Sequence, residues 1–208
     1  VAAEIRRRLG QIPMDELLRR TRFAESELFN LAITFLIMAE SDAVDRILPF
    51  DVIPRPIVAK EGREIDEGIQ QRVAALNLFL RDVYGPQKIL KDGIVPKELV
   101  LENSNYRPEM HDIAVPQGTF IHISGTDLVR DHEGNWAVLE DNGRVPSGVS
   151  YVIENRTMML RALPDLAEGF PLRPVGDYGL KLAQALSEVA PEGVDDPQIV
   201  LMSPGVFN

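Results

Sequence analysis

The stretch TDLVRDHEGNWAVLEDNGRVPSGVS, residues 126–150, decides how this chain is read. Apolar-rich arms flank Glu133-Gly134, a turn dipeptide. The segment therefore predicts a β-hairpin, its first strand reaching back through FIHISG to Thr119. The second arm, Trp136 to Leu139, ends abruptly in Glu140, Asp141 and Asn142. Side chains alternate faces along a strand, so Glu140 and Asn142 point to one side and Asp141 to the other. That pair offers two hard oxygen donors on one face. Such donors suit Mg²⁺, which keeps several waters and usually bridges to substrate phosphates. Asp127, on the partner strand, is the candidate third ligand.

The arrangement depends on register. With a turn of His132 to Asn135, Asp131 pairs with Trp136, and counting back puts Asp127 opposite Glu140 on the same face. A turn one residue longer sends Asp127 to the other face, because a single-residue slip swaps sides. Acids beside a turn are ordinarily just solvated, so these three residues alone do not make a site. Two neighbours add to them. VPSGVS, residues 145–150, leads into a helix expected from 150 to 162. Its backbone N–H groups and hydroxyls could cradle oxyanions there, where the helix dipole also favours negative charge. Arg144 stands where a fixed cation could meet a transferring phosphoryl group.

Outward from the hairpin, GREIDEGIQQRVAALNLFLRDVYG is the clearest helix. Ile65, Ile69, Val73, Leu76, Leu80 and Val83 form one apolar stripe, and Gly85-Pro86 stops it. On its other side Gln70, Arg72, Asn77 and Arg81 read as a solvated face. Residues 3–32 predict helix, broken into two near Gly10 and Pro13. Residues 33–38 predict a short buried strand, and the proline-rich 48–57 an extended connection. Short helices are expected at Lys88–Lys91 and from Pro96 to Glu102, a longer one over 176–190, and a buried strand over 198–203.

Bulk composition excludes several functions. The 208 residues carry a net charge of -10, which argues against a nucleic-acid or anionic-membrane binder. The chain has no cysteine, so disulfides, thiolate metal sites and cysteine nucleophiles are ruled out. No apolar run approaches membrane-spanning length and no signal-peptide core opens the chain, so the cytoplasm is the expected location. Val1 suggests a trimmed start, and the unfinished strand before PGVFN suggests a cut end.

DLVRDHEGNWAVLEDNGRVPSGVSYVIENR resembles the circularly permuted ATP-grasp proteins, the type 2, glutathionylspermidine synthase-like group. LPFDVIPRPI, GIQQRVAALNLFLRDVYG, ILKDGIVPKELV and LMSPGVFN resemble further blocks of that family, in the same order. The resemblance implies an α+β fold of the ATP-grasp, glutathione synthetase-like kind, an antiparallel sheet flanked by helices, cut before completion. It implies ATP and Mg²⁺ as cofactors, and ligation of a small-molecule or peptide carboxylate to an amine through an acyl phosphate. Synthetases of this kind hold their metal with an aspartate and, about a dozen residues later, a Glu-x-Asn. Asp127, Glu140 and Asn142 fall on that pattern. Ser147 and Ser150 match serines beside the transferred phosphate. Arg144 is a further catalytic candidate, and Arg130 and Arg156 are candidates for the nucleotide. The synthetases carry an arginine two positions before the metal aspartate. Here that position is Gly125, with Arg130 a possible stand-in, and this departure puts glutathione as substrate in doubt. Gly143 stands where a bulkier residue is expected.

The expected organisation is a helical segment over 1–32, the N-terminal part of the ATP-grasp domain over 33–192, and the start of a further α/β domain over 193–208. The lysines and glycine-rich lid that grip the nucleotide would lie beyond, so these residues alone are expected to be inactive. Two other readings compete: a non-catalytic scaffold, and glycosidase-like acid–base chemistry by Asp127 and Glu140, for which stacking aromatics are too few. Ser147 lacks the second glycine of a nucleophile elbow. His122, expected mid-strand on a face with Phe120 and Ser124, reads as a core histidine. His111 and His132 read as a loop and a turn residue, and no two histidines have zinc-ligand spacing.

Overall fold

The computed structural model describes residues 1–31, 33–38, 43–47, 50–200 and 202. In chain order the elements are α1 (Ala2–Leu9), α2 (Met14–Asn30), β1 (Thr34–Met38), β2 (Ala43–Ile47), α3 (Ala59–Val83), α4 (Lys88–Lys91), α5 (Lys97–Leu101), β3 (Gly125–Arg130), β4 (Trp136–Asn142), α6 (Val149–Ala162), α7 (Pro164–Ala167) and α8 (Tyr178–Ser187). The class is α+β. Among the described residues, the strands form two separate antiparallel pairs, β1–β2 and β3–β4, instead of one sheet flanked by helices. No described helix is long and apolar enough to cross a membrane. The chain divides into two compact units, residues 1–62 with 148–176, and residues 63–147 with 177–208.

The first unit is helical and apolar at its centre. The expected break falls where Gly10 and Pro13 put it, between α1 and α2. Ile5, Ala24, Leu28, Val52, Met158, Ala162, Leu163 and Leu166 form its core, with Ala24 and Leu28 fully out of solvent. Glu4 in the first turn of α1 bonds both Arg7 and Arg8, which complements the helix dipole. The strand predicted over 33–38 is seen as β1, paired with β2 from Thr34↔Ile47 to Met38↔Ala43. Residues 50–57 run without helix or strand, as the prolines require.

In the second unit α3 presents the expected stripe, half-buried from Ile65 to Leu80 and fully buried at Val83. The helix stops because the backbone turns away at Gly85, where a Cβ would lie 2.8 Å from the Arg81 carbonyl oxygen. The Asp82 carboxylate then accepts the backbone N–H groups of Lys88 and Ile89 at 3.0 and 2.9 Å, opening α4. Tyr84 stacks on Tyr106 at 5.2 Å and on Phe120 at 6.1 Å between ring centres, which draws the loop after α5 back against the end of α3.

Two expectations are corrected. Residues 119–124 are not strand, because the N–H groups of Phe120 and Ile121 are taken by the Asn77 side-chain oxygen at 2.7 and 3.0 Å and have none left for a ladder. His122 is accordingly exposed in an irregular lead-in and is not a core residue. The strand predicted over 198–203 is absent from its described residues, 198–200 and 202. Among the described residues, neither strand pair includes them. Residues 201 and 203 lie outside the described residues, as does most of LMSPGVFN.

Candidate functional site

The β3–β4 hairpin carries the site, and its turn is built from one carboxylate. Asp131 accepts the N–H groups of Asn135 and Glu133 at 2.8 and 2.9 Å and the Asn135 side-chain amide at 3.2 Å. These donors, the Asn135 backbone N–H foremost, hold its carboxyl below the ordinary aspartate value of 3.8. Gly134 takes φ +89, a left-handed conformation that glycine adopts without penalty.

The ladder begins with Arg130 opposite Trp136, so the loop is one residue longer than the register that favours the site. An uninterrupted ladder would then set Asp127 against Leu139, with Glu140 on the opposite face. A β-bulge intervenes. Leu128 pairs with Val138, Asp127 with Glu140, Thr126 with Asp141 and Gly125 with Asn142, leaving Leu139 as the extra residue. The two one-residue shifts cancel. Asp127 and Glu140 are cross-strand partners after all.

Asp127, Glu140 and Asn142 therefore share one exposed face. The Asn142 amide nitrogen donates to Glu140 Oε1 at 3.2 Å and to Asp127 Oδ2 at 3.4 Å, so the three side chains converge on one point. Two carboxylates and an amide are hard oxygen donors, and turning the Asn142 amide about Cβ–Cγ would present its oxygen beside theirs. The set fits Mg²⁺, with the remaining positions left to water and phosphate. Among the described residues no three histidine, cysteine or carboxylate side chains gather in one place.

The opposite face is occupied differently. Leu128, Trp136 and Val138 meet Ile65, Ile69 and Ala75 of α3 around a groove of about 500 Å³. Asp141 points the same way. Its side chain is only 11% exposed, pairs with Arg72 of α3, and accepts the Thr126 hydroxyl at 3.0 Å. Arg72 and Asn77, read from the sequence as parts of a solvated face, instead tie the hairpin and its lead-in to α3. Arg81 does likewise through the Gly118 carbonyl at 3.1 Å. Sequence reasoning missed these contacts. Their one local signal is a polar side chain on α3 at each of 72, 77 and 81, which names no partner.

The other candidates are placed as follows. Arg144 donates to the Asn105 side-chain oxygen at 3.0 Å. Ser147 is exposed at the end of the loop that follows β4. Ser150 is exposed in the first turn of α6, which begins after Gly148 at φ +96. Arg156 on α6 donates to the Arg173 carbonyl at 2.9 Å. Arg130 lies 4.4 Å over the Trp136 ring, on the face that Leu128 shares, away from Asp127. Gly125 has a steric reason. A Cβ there would lie 3.0 Å from Pro146 Cβ, so a larger side chain would need Pro146 to move. Gly143 is close against Ile121, whose Cδ1 would be 3.3 Å from an added Cβ.

Comparison with known proteins places these residues in context. Residues 54–208 match the model of a family described as a circularly permuted ATP-grasp. An uncharacterized protein of Synechocystis sp. is 44% identical over 200 residues, covering 96% of this chain and 42% of the relative. An uncharacterized protein of Mycobacterium tuberculosis is 45% identical over 164 residues, covering 79% of this chain and 30% of the relative. A Frankia alni protein named "Putative glutamate--cysteine ligase 2-3" is 37% identical over 201 residues, covering 95% of this chain and 22% of the relative. The chain thus spans less than half the length of each of these three.

Proposed function

Because this chain belongs to the circularly permuted ATP-grasp family, we propose that it contributes the divalent-cation ligands of an ATP- and Mg²⁺-dependent carboxylate–amine ligase. The observation that carries the reading is the convergence of Asp127, Glu140 and Asn142 on one face of the hairpin. The name of the Frankia relative describes a ligation of the same class, a carboxylate joined to an amine.

In the proposed reaction a carboxylate oxygen takes the terminal phosphoryl group of ATP and ADP leaves. An amine nitrogen then attacks the acyl carbon, phosphate departs, and an amide bond forms. Mg²⁺ would neutralise charge on the phosphates. Asp127 and Glu140 supply the negative charge that would hold it, and Asn142 supplies a neutral oxygen. Arg144, Ser147 and Ser150 are assigned to the phosphoryl oxygens, and Arg130 and Arg156 to the nucleotide, on family resemblance. The substrates are a small-molecule or peptide carboxylate and an amine.

Calorimetry with Mg·ATP tests the reading on this chain and on a chain extended to the relatives' length. The expected result is no useful binding for the 208 residues alone and micromolar-range binding for the long form. Glu140→Gln and Asn142→Ala should each weaken binding in the long form. Absence of binding in the long form, or full binding by both variants, contradicts the proposal.

A further inference from the structure

The ladder register also says where the loop after β4 goes. Gly125 pairs with Asn142, and Asp127 with Glu140. Cross-strand partners share a face, as do residues two apart, so a side chain at 125 would stand on the ligand face next to Asn142. A Cβ built on Gly125 agrees with that direction, lying 3.7 Å from Asn142 Cβ. The same Cβ would lie 3.0 Å from Pro146 Cβ and 3.9 Å from Pro146 Cα. Pro146 therefore sits on the ligand face, over Gly125 and beside Asn142. The chain that leaves β4 turns back across the hairpin instead of leading away from it.

This return is held at two more points. Gly143 lies against Ile121, whose Cδ1 would be 3.3 Å from an added Cβ, and Arg144 donates to the Asn105 side-chain oxygen at 3.0 Å. Val145 is 74% exposed, so its side chain adds little grip. Proline fixes its own φ and biases the residue before it towards extended backbone, which restricts the other paths this loop could take. Gly125 is the complement of that proline, because a larger residue there would crowd it. The loop carries chemistry opposite to that of the ligands. Asp127, Glu140 and Asn142 offer oxygens, whereas the Arg144 guanidinium and the Ser147 hydroxyl are donors. The acceptor that Arg144 meets is a neutral amide, which leaves its charge for an anion.

We propose that Pro146 is a positioning residue for the cation site: seated on Gly125, it holds residues 143–147 against the ligand face, so that the loop forms a wall beside the cation. This role rests on the ligand assignment above, whereas the seating itself is independent of it.

The test is a graded Mn²⁺ titration of the ¹⁵N-labelled chain, reading paramagnetic broadening at the Ser147 amide against the amides of Asp127 and Glu140. Ser147 directly follows Pro146, and a loop leading away would carry it out of the ion's reach. In the wild type it should broaden together with Asp127 and Glu140. Gly125→Val fills the space under Pro146, and Pro146→Gly removes the ring and frees the backbone. Each should lower the broadening at Ser147 several-fold while Asp127 and Glu140 stay broadened. Gly125→Ala should do the same by less, and Val145→Ser should change nothing. A contact that serves stability alone would lower the melting temperature and leave the Ser147 broadening as it is. Should Gly125→Val fail to fold, Pro146→Gly decides, since it adds no atom to the hairpin. A sharp Ser147 amide in the wild type beside broadened Asp127 and Glu140 overturns the proposal, as does unchanged Ser147 broadening in Pro146→Gly. If Asp127 and Glu140 themselves stay sharp in the wild type, the ligand assignment is what fails, and the role of Pro146 falls with it.

Discussion

The two units of this chain are held together by different forces. The first is centred on eight buried apolar side chains, among them Leu28, Met158 and Leu163, that pack without directional demands. In the second, buried apolar residues are few. Val83 and Leu90 are out of solvent, and the hairpin side relies on directed bonds from one helix: Arg72 to Asp141, Asn77 to Phe120 and Ile121, Arg81 to Gly118. Burial is tolerant of small displacements, whereas a hydrogen bond specifies a partner and a register. The unit that carries the candidate ligands uses the second kind of force, as a site that depends on which way three side chains point requires.

The largest effect that would expose this contrast is at Leu28. Leu28→Ala leaves a cavity in a core that cannot fully collapse, and should cost about 2–5 kcal/mol by chemical denaturation. The hairpin amides should keep their chemical shifts in that variant. Asn77→Ala comes next. It strips the acceptor from two part-buried N–H groups, and should cost about 1–3 kcal/mol with amide exchange rising at Phe120 and Ile121. If exchange rises in the first unit instead, the polar attachment is not local to the hairpin and the contrast fails. Gly134→Ala forces an L side chain into φ +89 and should cost about 1 kcal/mol, read as a loosened turn with the helical unit unchanged.

How much of this was legible beforehand follows from the range of each interaction. The turn at Glu133-Gly134, the α1–α2 break at Gly10 and Pro13, and the end of α3 at Gly85 are decided by neighbours in the chain. The Glu-x-Asn pair on one strand face is likewise a local consequence of alternation. The pairing of Asp127 with Glu140 is conditional in the sequence, since it requires a turn of His132 to Asn135 and is lost with a longer one. The turn is a residue longer than the favourable case, and the Leu139 bulge makes up the difference. Nothing local marks Leu139 as the extra residue. The same holds for Asn77, whose oxygen ends β3 at Gly125 by occupying the backbone upstream of it. Gly125 was legible as a departure from the synthetase pattern, and its cause, Pro146 against the start of β3, is a tertiary contact.

The smallest effect expected is with pH. Arg7 first, and then Arg8, hold the Glu4 carboxyl at about 2 against an ordinary 4.5. A depressed carboxyl contributes stability that is complete above its unfolded value and is lost as pH falls through the folded one. The α1 contribution should therefore persist down to pH 4.5 and fade toward about 2. Asp131 behaves in the same sense, its turn bonds weakening as pH drops below 3.8. Both groups lie at the surface, so the change should be slight, visible in the α1 and turn amide shifts and not in global unfolding. A loss of these signals on raising pH would contradict the sign.

The central claim is that Asp127, Glu140 and Asn142 form one divalent-cation site on the outer face of the hairpin. Substoichiometric Mn²⁺ added to the ¹⁵N-labelled chain tests it most directly, since paramagnetic broadening falls steeply with distance from the ion. Broadening should centre on the amides around Asp127 and from Glu140 to Asn142, and should disappear there in Glu140→Gln. Broadening spread over other acidic surfaces, with those amides left sharp, would contradict the account.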